Sequence, residues 1–312
     1  MDFFVISLLN GLSYGLLLFM VSAGLTLVFG MMGVLNFAHS SFYMLGAYFG
    51  YSVGRLTGFW PALIVAPLGI AIVGALIERY LLRPVHRHGH AHELLVTFGL
   101  VFIIDELVKL FYGNYPLKNP MPVELSFSAF RLFGLDYPFY RVFIALVAIV
   151  MFGAILALSR FTRVGLIVRA AVRRPHMVEA LGHNVPMVFL GVFAGGAALA
   201  GLAGVVAGVF YPTGPGMAQE LGVIVFVVVV VGGLGSLEGA FVASLLIGIF
   251  SSFAVGVNWT LADAFALVGI AGADLWGGAF TVKLSTVAGA IPFVLMFLVL
   301  LLRPAGLLGE RQ

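Results

Sequence analysis

The sequence predicts an all-α polytopic integral membrane protein with about eight to ten transmembrane helices, some of them interrupted at glycines. Three observations predict it. Of the 312 residues, 62% are hydrophobic and only 9% charged, whereas a soluble domain is about 45–50% apolar and about 25% charged. The mean hydropathy is +1.14. The apolar residues also fall into runs near the roughly 20 residues that cross a bilayer as a helix.

Taken in order, the runs lie near 5–28, 37–54, 61–82, 94–112, 141–158, 187–210, 220–231, 239–257 and 286–302. The first is expected to be retained as a span, because MDFFVISLLNGLSYG carries an acid where a secretory signal carries basic residues. The run 220–231 is short for a span, and 259–280 is apolar enough to lie along the membrane surface. No shift in composition marks a second domain, so 1–312 reads as one membrane domain with an arginine-rich loop at 160–184. Cysteine is absent, which removes disulfide and thiolate chemistry.

The net charge of +3 does not point to nucleic acid, because the basic residues sit between apolar runs instead of along one polar face. Their partner is the lipid bilayer. Arg79, Arg83 and Arg87 follow the third run, Arg160, Arg163, Arg169, Arg173 and Arg174 follow the fifth, and Arg303 and Arg311 follow the last. All three clusters are cytoplasmic together under the positive-inside bias. The loops 113–140 and 211–219 are then external, and with nine spans the N-terminus is external too.

The loop SRFTRVGLIVRAAVRRPHMVEALGHN, 159–184, holds a short helix over 175–181. Pro175 suits its first position and Gly182 the left-handed position just past its end. Such a helix is on the order of 10 Å long, which fills a partner's groove but does not cross a membrane. Charge alone also allows a solvated loop that only fixes orientation. The capped helix favours docking, with Arg169, Arg173, Arg174, Pro175, Met177, Glu179, Ala180, Leu181 and Gly182 as coupling candidates. Its contact face is expected from Met177, Val178, Ala180 and Leu181, with His176 and Glu179 at the rim. The chain has no GxxxxGK[ST] loop, so ATP-driven motion has to arrive from a partner.

VFGMMGVLNFAHSSF, 28–42, places Asn36, His39 and Ser40 between two apolar runs, with Gly30 and Gly33 allowing a break and Asn36 able to cap the helix that follows. VFGMMGVLNFA aligns with VVGGLGSLEGA, which pairs Gly30 with Gly232 and Gly33 with Gly235, beside Gly233. Two such segments are candidates for a transport pathway, and tight helix contacts through small residues are the alternative. On the pathway reading, a bulky residue at Gly233 is expected to reduce transport with assembly intact. Asp105 and Lys109, one helical turn apart beside Glu106, read as an interfacial ion pair in preference to a proton relay. Glu78, Arg79 and Arg83-Pro84 at a helix end read as an anchor. The alternating His86, His88, His90 and His92 lack the mixed ligands of a metal site. No nucleophile with a placed base and no cofactor motif is present, which counts against a membrane enzyme.

Segments spread along the chain resemble the permease subunits of ATP-binding-cassette importers for branched-chain amino acids, the LivH type. They are GMMGVLNFAHSSFYMLGAY at 30–48, IERYLLRPVHR at 77–87, Arg169, Ala170, Leu181, Gly182 and Asn184 in the arginine-rich loop, VVGGLGSLEGA at 230–240 and RPAGLLG at 303–309. The chain departs from the pattern at Arg173, Arg174 and Pro175, at His183, and at Ser40, which replaces a glycine. The resemblance implies a bacterial inner-membrane permease that uses no cofactor. Its implied partners are a second related permease, two cytoplasmic ATPase subunits and an external or periplasmic solute-binding protein. The implied solute is a branched-chain or related amino acid, with urea or a short amide as the alternative. A secondary transporter or channel is the reading from another class, weakened by the lack of a mid-membrane carboxylate for ion coupling.

Overall fold

The computed structural model describes residues 2–33, 35–86, 88–132, 134–257, 259–267 and 278–309. Its first helix, α1 (Asp2–Met32), runs unbroken for 31 residues. It is apolar on every face, the pattern of a helix enclosed by others, and its middle, including Leu18, Phe19, Met20 and Val21, has no exposed surface. Then follow α2 (His39–Thr57), α3 (Phe59–Ile77), a π-helical turn (Glu78–Leu82), α4 (Arg83–His86) and α5 (His90–Tyr112). A hairpin of β1 (Ser128–Leu132) and β2 (Leu135–Pro138) precedes α6 (Phe139–Phe161), α7 (Arg163–Arg173) and α8 (Pro175–Ala180). The rest is α9 (Val185–Phe210), α10 (Met217–Gly232), α11 (Leu237–Gly256), α12 (Leu261–Leu267) and α13 (Ile291–Leu302).

The protein is multi-pass. Among the described residues, six helical stretches are long and apolar enough to cross a membrane: Phe3–Met32, Phe59–His86, Phe139–Phe161, Val185–Phe210, Leu237–Gly256 and Leu284–Leu302. Between them α2 and α5 carry more polar side chains and α10 is shorter, yet all three pack in the same bundle. The surface-helix expectation for 259–280 falls partly on α12, and 268–277 lie outside the described residues.

Glycines set the helix contacts. A Cβ on Gly46 of α2 would come within 2.4 Å of the Gly201 carbonyl oxygen on α9, and one on Gly204 within 2.1 Å of the Tyr43 carbonyl oxygen. Gly15 and Gly248 bring α1 and α11 together in the same way, and Gly30 meets Gly235. α11 is therefore antiparallel to α1.

These contacts gather the arginines at one end. Arg83 donates to the Pro186 carbonyl at the start of α9 (2.9 Å), Arg169 to the Ser159 carbonyl at the end of α6, and Arg160 pairs with Glu238 in the first turn of α11. After Arg303 the chain donates from Leu307 and Leu308 N–H to Val231 (2.8 Å) and Gly232 (3.0 Å) at the end of α10. Arg87 and Arg311 lie outside the described residues. At the opposite end Leu117 and Thr213 exchange backbone hydrogen bonds, and Phe3 of α1 packs edge-on against Phe253 of α11. The N-terminus lies at this second end.

The hairpin at that end was not legible as strands. The Phe130 and Tyr137 rings stack at 5.0 Å, Tyr137 reaches Ser13 on α1 (2.7 Å), and the hydrogen-bonded Arg131 guanidinium holds the Asp136 carboxyl below its ordinary range. Lys109 bridges Asp105 (2.8 Å) and Glu106 (2.7 Å), while Asp105 also accepts from Gly216 N–H at the start of α10 (2.8 Å). An ion pair that ties two helices together at the end of the bundle fits the interfacial reading.

Both glycine interruptions fall at positive φ. Gly33 (φ +66°) ends α1, and Gly233 (φ +103°) and Gly235 (φ +84°) form the turn between α10 and α11, while Gly30 and Gly232 stay helical. Gly233 corrects the expectation stated for it. A Cβ there would lie 2.5 Å from the Gly309 backbone nitrogen, so the residue seats the C-terminal segment. Gly233→Trp combines a disfavoured φ with a clash against backbone. It is expected to remove the folded monodisperse protein from detergent extracts, read by size-exclusion chromatography, instead of slowing transport in an intact assembly.

Candidate functional site: a coupling helix and two cavities

The sequence builds α7 and α8 as a unit. Thr162 caps α7 by accepting from Gly165 N–H (3.2 Å). Pro175 opens α8, and Gly182, at φ +86°, closes it. Gly182 N–H donates to Glu179 (2.9 Å) and His183 N–H to Val178 (3.2 Å), the paired bonds of a left-handed helix stop. Asn184 then caps α9 by accepting from Met187 N–H (3.1 Å). α8 ends at Ala180, with Leu181 as its C-cap.

One face of α8 is free and the other is not. Met177, Ala180 and Leu181 lie three and four residues apart, on one helical face, and all are exposed, Leu181 by 77%. Glu179 and His176 flank them. Val178 does not belong to this face, contrary to the sequence expectation. It is buried with Ala171 of α7 and Val185 of α9, beside Ile167, Val188 and Phe189. About 100° of rotation per residue separates Val178 from Met177. Arg174 is exposed and reaches the Met177 sulfur (3.7 Å); the Arg173 side chain lies outside the described residues. Arg169 faces Ser159 and the cavity beside it.

That cavity, of about 780 Å³, opens at the arginine-rich end between α1, α6, α7 and α11. It is lined by Thr26, Gly30, Ser159, Arg160, Gly235 and Glu238, among others. A second cavity, of about 620 Å³, opens at the opposite end between α1, α6 and α11, with Ser7, Asn10, Tyr14, Arg141 and Ser251 in its walls. On the three shared helices Phe19, Phe152 and Phe241 stand between the two linings. Phe152 and Phe241 stack at 4.5 Å and 13°, and both meet Phe19 edge-on at 5.4 and 5.1 Å. The three rings form one aromatic cluster, set along the shared helices between the two linings.

The predicted pathway residues therefore divide. Gly30 and Gly235 line the first cavity. Gly232 and Gly233 do not, because the Gly232 Cβ position is filled by the backbone of Gly239 and Ala240 and that of Gly233 by Gly309. Asn36, His39 and Ser40 line a separate small pocket against Leu25, Gly222, Val225 and Phe226. There Asn36 accepts from Ala38 N–H (3.0 Å), one residue before the helix it was expected to cap. His39 Nε2 lies 3.1 Å from the Val21 carbonyl, and Asn36 Nδ2 and His39 Nδ1 are buried without a partner. At the arginine-rich end Glu78 is buried and held by Arg83 through two hydrogen bonds (3.1 and 2.7 Å). His86 bonds Glu93.

A family model described as branched-chain amino acid transport system permease component matches residues 7–300. The chain belongs to this permease family. It is similar, at 30% identity over 98% of this chain and 95% of the relative, to the high-affinity branched-chain amino acid transport system permease protein BraD of Pseudomonas aeruginosa. It is 29% identical to the LivH permease protein of Escherichia coli K12, over 99% and 97% of the two chains. A probable LivH permease of Methanocaldococcus jannaschii is 27% identical over 95% and 90%. No solved structure matches the permease. Sequence reasoning missed Arg141, Ser251 and the three phenylalanines. Arg141 did carry a signal, an arginine at the end of the bundle where the positive-inside bias leaves few. The phenylalanines carried none, because 29 of them are spread through the chain and only tertiary contact singles out three.

Proposed function

We propose that this permease is the membrane-spanning subunit of an ATP-driven importer in a bacterial inner membrane, and that it passes a branched-chain or related amino acid delivered by an external binding protein. The arginine-rich end is cytoplasmic. ATPase subunits dock there on the exposed face of α8, and a second related permease completes the membrane assembly.

The observation that carries this reading is α8 itself. It presents an apolar face outward while Val178 on its other side is buried against α9. Displacement of α8 is thus delivered to the start of α9, which packs tightly on α2 through Gly46, Gly201 and Gly204. Arg169 ties α7 to the end of α6 at Ser159, so the same displacement reaches α6 and its Phe152. Hydrolysis then acts on the aromatic cluster between the chambers, and solute moves from the external cavity to the cytoplasmic one. The resident Arg160–Glu238 pair offers opposite charges to a zwitterion in the cytoplasmic chamber.

Reconstitution with the cognate ATPases and binding protein tests the proposal. ATP-dependent uptake of labelled leucine, isoleucine or valine is expected, with no uptake when the ATPases are omitted. Uptake of urea in place of these amino acids would replace the proposed solute, and uptake without ATPase would make the chain a secondary transporter.

A further inference from the structure

Arg141 sits where two general rules disfavour a cation. It occupies the first turn of α6, the positive end of the helix dipole, and it lies at the end of the bundle opposite the arginine clusters. Among the described residues no carboxylate pairs with it: Asp136, five residues away, is held by Arg131. Its guanidinium lies against the faces of Phe210 (5.0 Å) and Tyr137 (5.6 Å), and its Nε is buried without a hydrogen-bond partner. Ser251, on α11, lines the same cavity, and its Oγ is also buried and unpartnered. A buried donor left unmade costs about 1–3 kcal/mol. Both donors belong to residues that line one cavity, and neither atom is satisfied within the chain.

The remaining lining states the chemistry. Arg141 is the one ionic side chain among the described lining residues; the others are neutral oxygens and amides, such as Ser7, Asn10 and Tyr14, and apolar groups, such as Leu17, Ile144 and Val255. A guanidinium already stacked between aromatic rings has its fork fixed for planar, two-pronged recognition of a carboxylate. The cavity of about 620 Å³ is of the size that encloses a small ligand.

We propose that the external cavity is a binding site for a small carboxylate bearing an aliphatic tail, with Arg141 receiving the carboxylate, Ser251 adding a hydrogen bond, and the apolar wall taking the tail. This deepens the proposed function, on which it rests for the identity of the solute as an amino acid. It also makes the permease itself selective for the carboxylate, ahead of the Phe152–Phe241 pair.

The test is thermal protection of the purified complex in nanodiscs, which reads ligand binding without transport. Leucine and isovalerate are expected to raise the unfolding temperature, and isoamylamine and urea to leave it unchanged. Arg141→Gln should raise the leucine concentration needed for half protection by about tenfold or more, the scale of one lost charge-assisted bond, with Arg141→Lys recovering part of it. Ser251→Ala, a small change that keeps the packing, should raise it about threefold. Equal protection by isoamylamine, or unchanged leucine protection in both Arg141→Gln and Ser251→Ala, would overturn the site. Should Arg141→Gln fail to assemble, Ser251→Ala and the ligand series decide alone. The outcome separates from the proposed function: carboxylate protection in a complex that imports urea upholds the site and overturns the assigned solute, while leucine import with no carboxylate selectivity does the reverse.

Discussion

Ala180→Trp in the assembled importer is expected to abolish solute uptake while the permease folds and inserts normally. Ala180 is exposed on α8, on the same face as Met177 and Leu181. An indole there projects from an exposed position and stands where a partner's groove would close around a small side chain. Burial of a helix as short as α8 has little apolar area to spare, so holding it a few ångströms away removes most of the docking free energy. Uptake should fall by at least about tenfold, the equivalent of roughly 1.4 kcal/mol of lost coupling, and ATPase co-purification should weaken. The size-exclusion profile of the permease should stay unchanged. Val178→Ala is the informative partner, since it removes two buried methyl groups from the contact with Ala171 and Val185. That costs roughly 1.5 kcal/mol of local packing and leaves the docking face intact. It should lower uptake with ATPase binding retained. Normal uptake in both variants would reduce α7 and α8 to a topology signal.

Gly204→Leu is expected to eliminate the folded permease. The Cβ alone would come within 2.1 Å of the Tyr43 carbonyl oxygen and 2.7 Å of the Ala47 nitrogen, both backbone atoms of α2 that cannot rotate away. Relief requires α9 and α2 to part, and α9 also packs on α1 and α3 through Gly196, Ala197 and Gly201. In a bilayer, helices associate chiefly through van der Waals contact between small residues, so separation forfeits the contact that holds them. The loss should exceed the about 1–3 kcal/mol typical of overpacking. It should appear as aggregated or degraded protein by fluorescence-detected size exclusion. Gly153→Leu is the control, because its added Cβ meets nothing within 4 Å, and it should express normally. Equal stability of the two variants would show that the α2–α9 contact is not the core of the bundle.

Much of the molecule is legible in its sequence. Runs of apolar residues near bilayer length gave the helices almost in place, because in hydrocarbon a helix satisfies its backbone groups within its own segment and needs no partner to be specified. The boundaries of α8 were equally local. Pro175 and Gly182 act through their own φ values, and the short helix appears between them. The two glycine turns also stood out, since a positive φ is a property of single residues, whereas RPAGLLG stood out only through its resemblance to the family.

Which face of each element points where was decided only by the tertiary structure. Gly30, Gly233 and Asn36 looked equivalent as members of one pathway, yet Gly30 borders a cavity, Gly233 seats the C-terminal segment and Asn36 enters a different pocket. Val178 went inward because α7 and α9 converge on its side of α8. The aromatic cluster draws Phe19, Phe152 and Phe241 from three helices to one level. An apolar side chain reads the same in sequence whether it meets lipid, a neighbouring helix or a cavity. Hydrophobicity and capping therefore determined the elements, while close packing between distant glycines fixed their neighbours and, through them, the chambers.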